Sequence, residues 1–280
     1  MRALNFISND ERWNRMKLTS YLAGIAAVVV LISGIPGSSH AMTAREIMKK
    51  YTDQFSVADE TDKANMALIN KQGKRRSRAL TIMSKEYPGN LHKILIRFTS
   101  PESIYGAGLL IAEQRNRSDD EWLYLPALKK IKKISTSERS HSFMGSEFSY
   151  EDLHREVLDD FAYELKGSEA VHGQDCFLIE ATPASQRKLA ETGYSKRILW
   201  IRKDIFFKVK AAYFDKKGKP LKMEADEVLT EISPGKYRMN RITMMNVKTE
   251  KKTVLESTSR SINKGIPSTR FTATYLEQGA

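Results

Sequence analysis

Beyond residue 41 the hydrophobic positions follow two rhythms. Across residues 42–55, Ala44, Ile47, Met48, Tyr51 and Phe55 recur at helical spacing, which predicts one amphipathic helix. Thr43 and Glu46 supply a capping-box pair at its start. From residue 65 the rhythm is that of strands. Ile94, Ile96 and Phe98 share one parity, with Lys93, Leu95 and Arg97 on the other. Phe207, Val209, Ala211 and Tyr213 likewise oppose Lys208 and Lys210. Turn signals such as Gln72-Gly73-Lys74, Pro88-Gly89-Asn90, Lys216-Lys217-Gly218 and Ser233-Pro234-Gly235 separate these segments. The pattern predicts about ten or eleven strands joined mostly by hairpins, hence one antiparallel sheet, sandwich or barrel. Residues 183–191 form a charged insertion, and Ser268 precedes a short C-terminal helix carrying Phe271, Tyr275 and Leu276 on one side.

One stretch breaks this regularity. Residues 122–153 open with Trp122-Leu123-Tyr124-Leu125 and Pro126, continue through a basic run, and then turn polar from Ser135 to Ser142. They end in Phe143, Met144, Gly145 and Phe148, followed by Ser149-Tyr150-Glu151-Asp152-Leu153. This predicts a strand, a turn, a basic strand, a loop and a short helix capped by Ser149, with Asp152 three residues later. The polar half is too hydrophilic to bury and is expected to be a mobile loop. The aromatic half is expected to be a short helical flap hinged at Gly145, or else a surface loop whose aromatic end is anchored in the core.

Composition narrows the setting. The chain has 280 residues, enough for a sizeable core, and a formal net charge of +12. Setting aside residues 1–41, with Arg2, Arg12, Arg15 and Lys17 against Asp10 and Glu11, leaves +10. Such a balance suits anionic partners. Residues 21–35 are the longest apolar run, short of the ~20 residues of a spanning helix. Basic residues precede the run and Ser39-His40-Ala41 follows it, which predicts a signal peptide over residues 1–41 and a mature domain over residues 42–280. The start at Met1 makes a long leader, and Met16 would make a more ordinary one. The lone Cys176 lies in an apolar run and reads as a buried thiol.

Chemistry-bearing patterns are sparse. The histidines His40, His92, His141, His154 and His172 show no metal-binding spacing, and there is no nucleophile elbow or phosphate loop. No catalytic residue, cofactor or metal is therefore expected. Glu151, Asp152, His154 and Glu156 read as the charged face of a short helix rather than as a metal centre. Lys129, Lys130, Lys132 and Lys133 read first as a protected sheet edge, and second as a contact for lipid headgroups or a partner. The basic residues are not interleaved with outward stacking aromatics, so nucleic acid is not an expected partner. By residue type alone, the aromatics and methionines fill a core.

The run Trp-Leu-Tyr-Leu-Pro-Ala-Leu-Lys-Lys-Ile-Lys-Lys-Ile from Trp122, with Gly-Ser-Glu-Phe-Ser-Tyr-Glu-Asp-Leu from Gly145, resembles the signature of the outer-membrane lipoprotein-sorting (LolA-like) family. The resemblance covers about residues 44–277. It implies a periplasmic carrier, not an enzyme, built as an incomplete antiparallel β-barrel with helices closing an apolar cavity for acyl chains. The helix over residues 42–55 would then pack across the barrel mouth. The cavity expected on this basis is lined by Trp122, Tyr124, Phe143, Met144, Phe148, Trp200, Phe207, Tyr213 and Met223. The implied partners are the acyl chains of a lipid or lipoprotein and an inner-membrane exporter of the resistance–nodulation–division (RND) type, with only peripheral membrane contact. Lysines stand at 129–133 where relatives often carry arginines, which weakens direct phosphate recognition there. The alternative is a non-enzymatic envelope protein-binding or regulatory module on the same half-barrel; a filled cavity would favour it.

Overall fold

A computed structural model describes residues 41–278. The leader predicted for residues 1–41 falls outside them except for Ala41. No helix among the described residues is long and apolar enough to cross a membrane.

The first helix, α1 (Ala44–Asp53), forms where the apolar spacing places it. Its capping box is closed both ways: the Glu46 N–H donates to Thr43 Oγ1 at 3.2 Å, and the Thr43 N–H donates to Glu46 Oε2 at 2.8 Å. Ala44, Ile47, Met48 and Tyr51 are buried. Thirteen strands follow in one antiparallel sheet, β1 (Asp59–Ile69), β2 (Arg75–Tyr87), β3 (Leu91–Ser100), β4 (Gly108–Ala112), β5 (Asp120–Leu125), β6 (Lys130–Lys133), β7 (Phe161–Val171), β8 (Gln174–Pro183), β9 (Tyr194–Arg202), β10 (Lys208–Asp215), β11 (Pro220–Ser233), β12 (Lys236–Asn246) and β13 (Lys252–Ile262). Helix α2 (Gln186–Thr192) lies between β8 and β9, and α3 (Ala273–Gln278) ends the described chain. The strand count exceeds the ten or eleven expected, and the basic strand expected after Pro126 is present as the four-residue β6, paired in register with β5.

The strand order is β6-β5-β4-β3-β2-β1-β13-β12-β11-β10-β9-β8-β7. The chain therefore walks outward from β1 to one edge, restarts at the opposite edge with β7, and walks back to close β13 on β1. The sheet is open, an incomplete barrel whose free edges are β6 and β7.

Its inner face carries a continuous apolar core. Over the first strands this is Ala64, Met66, Leu68, Leu80, Ile94, Ile96, Phe98, Leu109, Ile111 and Leu123. Over the later strands it is Ile179, Ala181, Leu199, Ile201, Ala211, Tyr213 and Met244, packed against α1. Leu153 and Leu255 touch both groups. The outer face is covered as well near β2–β5. Met83, Leu95 and Leu110 are buried under Phe271 and Leu276, with Trp122 and Tyr124 at the margin. This explains why Leu95 and Arg97 are buried although they alternate with inward residues. Arg97 Nη2 donates to the carbonyls of Tyr275 and Leu276 at 2.8 and 3.0 Å, satisfying the end of α3. Gly108 permits this close approach: a Cβ there would lie 2.9 Å from the Ile96 carbonyl oxygen and 3.0 Å from Leu276 Cδ1.

The C-terminal segment is thus part of the core rather than an appendage. Leu276→Ala should cost about 2–5 kcal/mol and lower the urea midpoint without changing the slope of the transition. A midpoint within error of the parent would show that this segment does not hold the sheet.

Candidate functional site: a plug on the inner face

The topology leaves one connection with an unusual task. Residues 134–160 must run from the β6 edge to the β7 edge, and they do so across the inner face. The segment is a chain of short 3₁₀ turns, Thr136–Glu138, Phe143–Gly145, Glu151–Leu153 and Leu158–Asp160. Its side chains supply what the missing regular hydrogen bonds would. Ser135 and Glu138 form a capping box, and Met144 and Gly145 adopt positive φ (50° and 74°) to reverse the chain. The Ser149–Asp152 pair expected from the sequence is present and reciprocal, at 2.7 and 3.3 Å, but it caps a single 3₁₀ turn instead of a helix.

Aromatic side chains anchor the segment. Phe143 is fully buried, stacked on Phe98 with centroids 5.7 Å apart and met edge-on by Tyr150 at 5.6 Å. Phe148 is buried in the same core as α1. Backbone bonds mark the path: Arg78 donates to the Met144 carbonyl at 2.7 Å, the Glu147 N–H donates to Thr253 Oγ1 at 2.9 Å, and Lys222 donates to the Glu147 carbonyl at 3.2 Å. The segment therefore plugs the inside of the barrel. Of the two expectations for the aromatic half, a flap over the mouth or an aromatic end anchored in the core, the structure has the anchor: Phe143 reaches the floor of the sheet.

The charged residues of the plug are buried too. Arg139, within the stretch expected to be a mobile loop, is 2% exposed. It pairs with Glu121 on β5 and with Glu191 on α2, and donates to the Asp119 carbonyl at 2.9 Å. His154 joins this group, with Nδ1 3.0 Å from Asp119 and Nε2 3.1 Å from Glu121. Gly193 lets α2 close on the plug here, since at φ 74° a Cβ would meet Ser140 Cβ at 2.6 Å. The cluster ties β5 to α2 through the plug.

Deeper in, Glu156 accepts both Arg197 guanidinium nitrogens at 2.9 Å and the Tyr163 hydroxyl at 2.6 Å. Asp152 accepts from Lys222 and from the Tyr194 hydroxyl. Glu151 pairs with Lys188 at 2.6 Å. Glu151, Asp152, His154 and Glu156 were expected to form one solvated face; each is buried or half-buried on a separate partner, because no helix forms to collect them on one side. Burial opposes ionisation of Glu156, but Arg197 and Tyr163 outweigh it and hold its carboxyl below the ordinary value. Burial also pushes the Asp226 carboxyl well above its ordinary range, reinforced by Glu224, although Lys208 opposes this. Lys208, Glu224, Asp226 and the Tyr213 hydroxyl form a further buried group beside Tyr51 of α1.

The residues expected to line a cavity separate onto both faces. Phe143, Met144, Phe148 and Tyr213 lie on the inner face. Phe207 does too, 5.8 Å from both Tyr51 and Phe55. Trp200 and Met223 lie on the outer face with Cys176, under Lys210. Trp122 and Tyr124 lie on the outer face under the C-terminal segment. Over Phe98 and beside α1 the inner face is filled by the plug. Grooves of about 550 and 330 Å³ are lined by Ser56, Glu86, Asn90 and Asn263 and by Thr230, Asn240 and Arg260, and Asn240 of the smaller groove shares the inward parity of Ile242 and Met244. Of the lysines, Lys129 sits in the left-handed turn before β6, Lys132 pairs with Glu138 and Lys133 with Asp120. Arg139, Lys188, Arg197 and Lys222 were not singled out from the sequence. The signal available was parity, because Arg197 alternates in step with Leu199 and Ile201, which point inward.

Comparison with known proteins matches this architecture. A family model whose description reads Uncharacterized protein matches residues 90–278, well over half of the chain. A structure described as an outer membrane lipoprotein-sorting protein domain from Vibrio parahaemolyticus is 29% identical, with a TM-score of 0.79 over 84% of this chain and 98% of that one. The chain belongs to this LolA-like, lipoprotein-sorting family. A DUF1329 family protein from Desulfovibrio piger is 27% identical, with a TM-score of 0.78 over 83% and 97% of the two chains. A LolA superfamily protein from Nitrosomonas europaea, at 21% identity and TM-score 0.67 over 84% and 100%, shares the fold. No curated protein matches. In this LolA-like chain the barrel interior is occupied by its own edge-to-edge connection.

The rim cluster makes a pH-dependent contribution. Burial alone would lower the His154 pKa, but the hydrogen bonds to Asp119 and Glu121 outweigh it and raise it to about 9. A folded-state value above the ordinary 6.5 means stability that is complete below that value and lost as pH rises toward 9. Urea midpoints should therefore fall between pH 6.5 and 9 in the parent, and this fall should shrink in His154→Gln. An unchanged slope in the variant would remove His154 from the account.

Proposed function

We propose that this LolA-like protein is a periplasmic, non-enzymatic carrier that takes up the acyl chains of a lipid or lipoprotein on the inner face of its sheet. The observation that carries this reading is the nature of the filling. The apolar floor of Ile94, Ile96, Phe98, Leu109 and Ile111 is covered, over Phe98, by the side chains of one irregular connection. A segment of 3₁₀ turns with few ladder bonds can be displaced as a unit, whereas a second sheet could not. Cargo would replace Phe143, Met144 and Tyr150 on that floor, and each buried methylene would contribute ~0.8 kcal/mol. The mature chain would begin at Met42, after export. An RND-type exporter in the inner membrane is the partner in this reading, supported by the family resemblance of residues 122–153. The lysines of the β6 edge would face that partner or the headgroups.

The filled inner face also favours a second reading, an envelope module that binds protein on its surface while the plug stays in place. Native mass spectrometry of the protein recovered from the periplasm, followed by lipid extraction, separates the two. The carrier reading predicts a bound population whose mass excess matches an extractable acyl lipid, and uptake of a fluorescent long-chain lipid by the delipidated protein. Protein that is unladen as isolated, and that takes up no lipid, would contradict it and leave the protein-binding module.

A further inference from the structure

The charges under the plug say what kind of amphiphile the carrier would take. The register aligns one row of residues straight across the inner face: Tyr163 on β7, Ala181 on β8, Arg197 on β9, Tyr213 on β10 and Lys222 on β11. Arg197 and Lys222 are two strands apart, about 10 Å at the usual strand spacing. Lys188 of α2 joins them at one end: its Nζ lies 5.3 Å from the centre of the Phe161 ring, over which the Arg197 guanidinium sits at 3.9 Å. All three cations are nearly or largely inaccessible, with side-chain exposures of 13% for Arg197, 7% for Lys222 and 7% for Lys188. The plug supplies their anions, all from one six-residue stretch: Glu156 to Arg197, Asp152 to Lys222 and Glu151 to Lys188. Asp160, just beyond it, also reaches Lys188, at 3.1 Å. Besides these anions, Lys222 donates to the Glu147 carbonyl of the plug at 3.2 Å and lies 5.0 and 5.4 Å from the ring centres of Tyr194 and Tyr213.

Lifting the plug would strip these cations of their anions inside a low-dielectric interior, which is costly unless another anion takes over. An uncharged amphiphile cannot do that. We propose that Arg197, Lys222 and Lys188 form the headgroup site of the inner face, that the plug carboxylates Glu151, Asp152 and Glu156 occupy it as an internal stand-in, and that the cargo is an anionic amphiphile whose phosphate or carboxylate displaces them. This inference rests on the carrier reading and adds the chemical class of the cargo. The planar fork of Arg197, already engaged bidentately by Glu156, suits either a carboxylate or a phosphate. The apolar floor exposed by the same displacement receives the chains.

The test compares three probes of matched chain length, a fluorescent fatty acid, the corresponding phosphatidylglycerol and the corresponding fatty alcohol, on the delipidated full-length mature protein. The proposal predicts at least tenfold tighter binding of one or both anions than of the alcohol; which anion leads distinguishes carboxylate from phosphate. Asp152→Asn with Glu156→Gln keeps the cations and removes the competitors of Arg197 and Lys222, and should tighten anion binding several-fold. Asp152→Asn with Lys222→Met removes a whole pair, so no buried charge is orphaned. It should bring the anions toward the affinity of the alcohol and leave the alcohol unchanged. Equal binding of anions and alcohol would overturn the headgroup site while leaving the carrier. Failure of every probe to bind would overturn both. Anion binding unchanged in both double variants would place the headgroup elsewhere.

Discussion

The constraint that shapes this molecule is the connection between β6 and β7. Strands β1–β6 are laid down outward from the centre of the sheet, and strands β7–β13 are laid down from the opposite edge inward. The chain must travel from one free edge to the other, and an open barrel offers one dry route, across its inner face. A connection so placed cannot remain a polar loop. It must bury side chains and satisfy its own backbone, and it does so with 3₁₀ turns, reciprocal caps at Ser135 and Ser149, and side-chain donors from Arg78 and Lys222.

Two kinds of interaction hold this connection, and they differ in consequence. The aromatic anchors, with Phe143 on Phe98 and Phe148 beside α1, provide burial that an acyl chain can imitate. The ion pairs provide position. A buried pair gains little net stability once desolvation is counted, but removing one partner is expensive, so the pairs of Glu156 with Arg197 and Asp152 with Lys222 act chiefly to make the plugged state specific. The inner face is divided accordingly. Under Phe143 it is apolar, with Phe98 among aliphatic side chains; under Asp152 and Glu156 it is a row of cations and tyrosines. Such a division matches an amphiphile better than a plain hydrocarbon, and it is written in the register of β9, β10 and β11.

Much of this was legible in the sequence. The alternation placed most of the strands, though it started β1 and β7 several residues off their observed bounds, and the residues at 122–134 and 145–153 carried the family resemblance. The capping box at Thr43 was visible because it depends on neighbours in the chain. What depends on distant partners was not visible. Arg139 and Glu156 read as solvated because nothing local shows that Glu121, Glu191 and Arg197 lie opposite them. Trp200 and Met223 were grouped with Tyr213 because strands covered on both faces carry apolar residues on both parities, so alternation cannot say which side is inner. Trp122 and Tyr124 were misplaced for a related reason: the C-terminal segment that covers them lies some 150 residues further along the chain.

The central claim is that the connection occupies the place of the cargo. Hydrogen exchange of backbone amides across Phe143–Leu153, measured with and without a bound long-chain anionic lipid, tests it most directly. The account predicts that these amides lose protection when lipid is bound, while those of β3 and β4 keep theirs. Unchanged protection, or a gain such as a flap closing over its cargo would show, would contradict it.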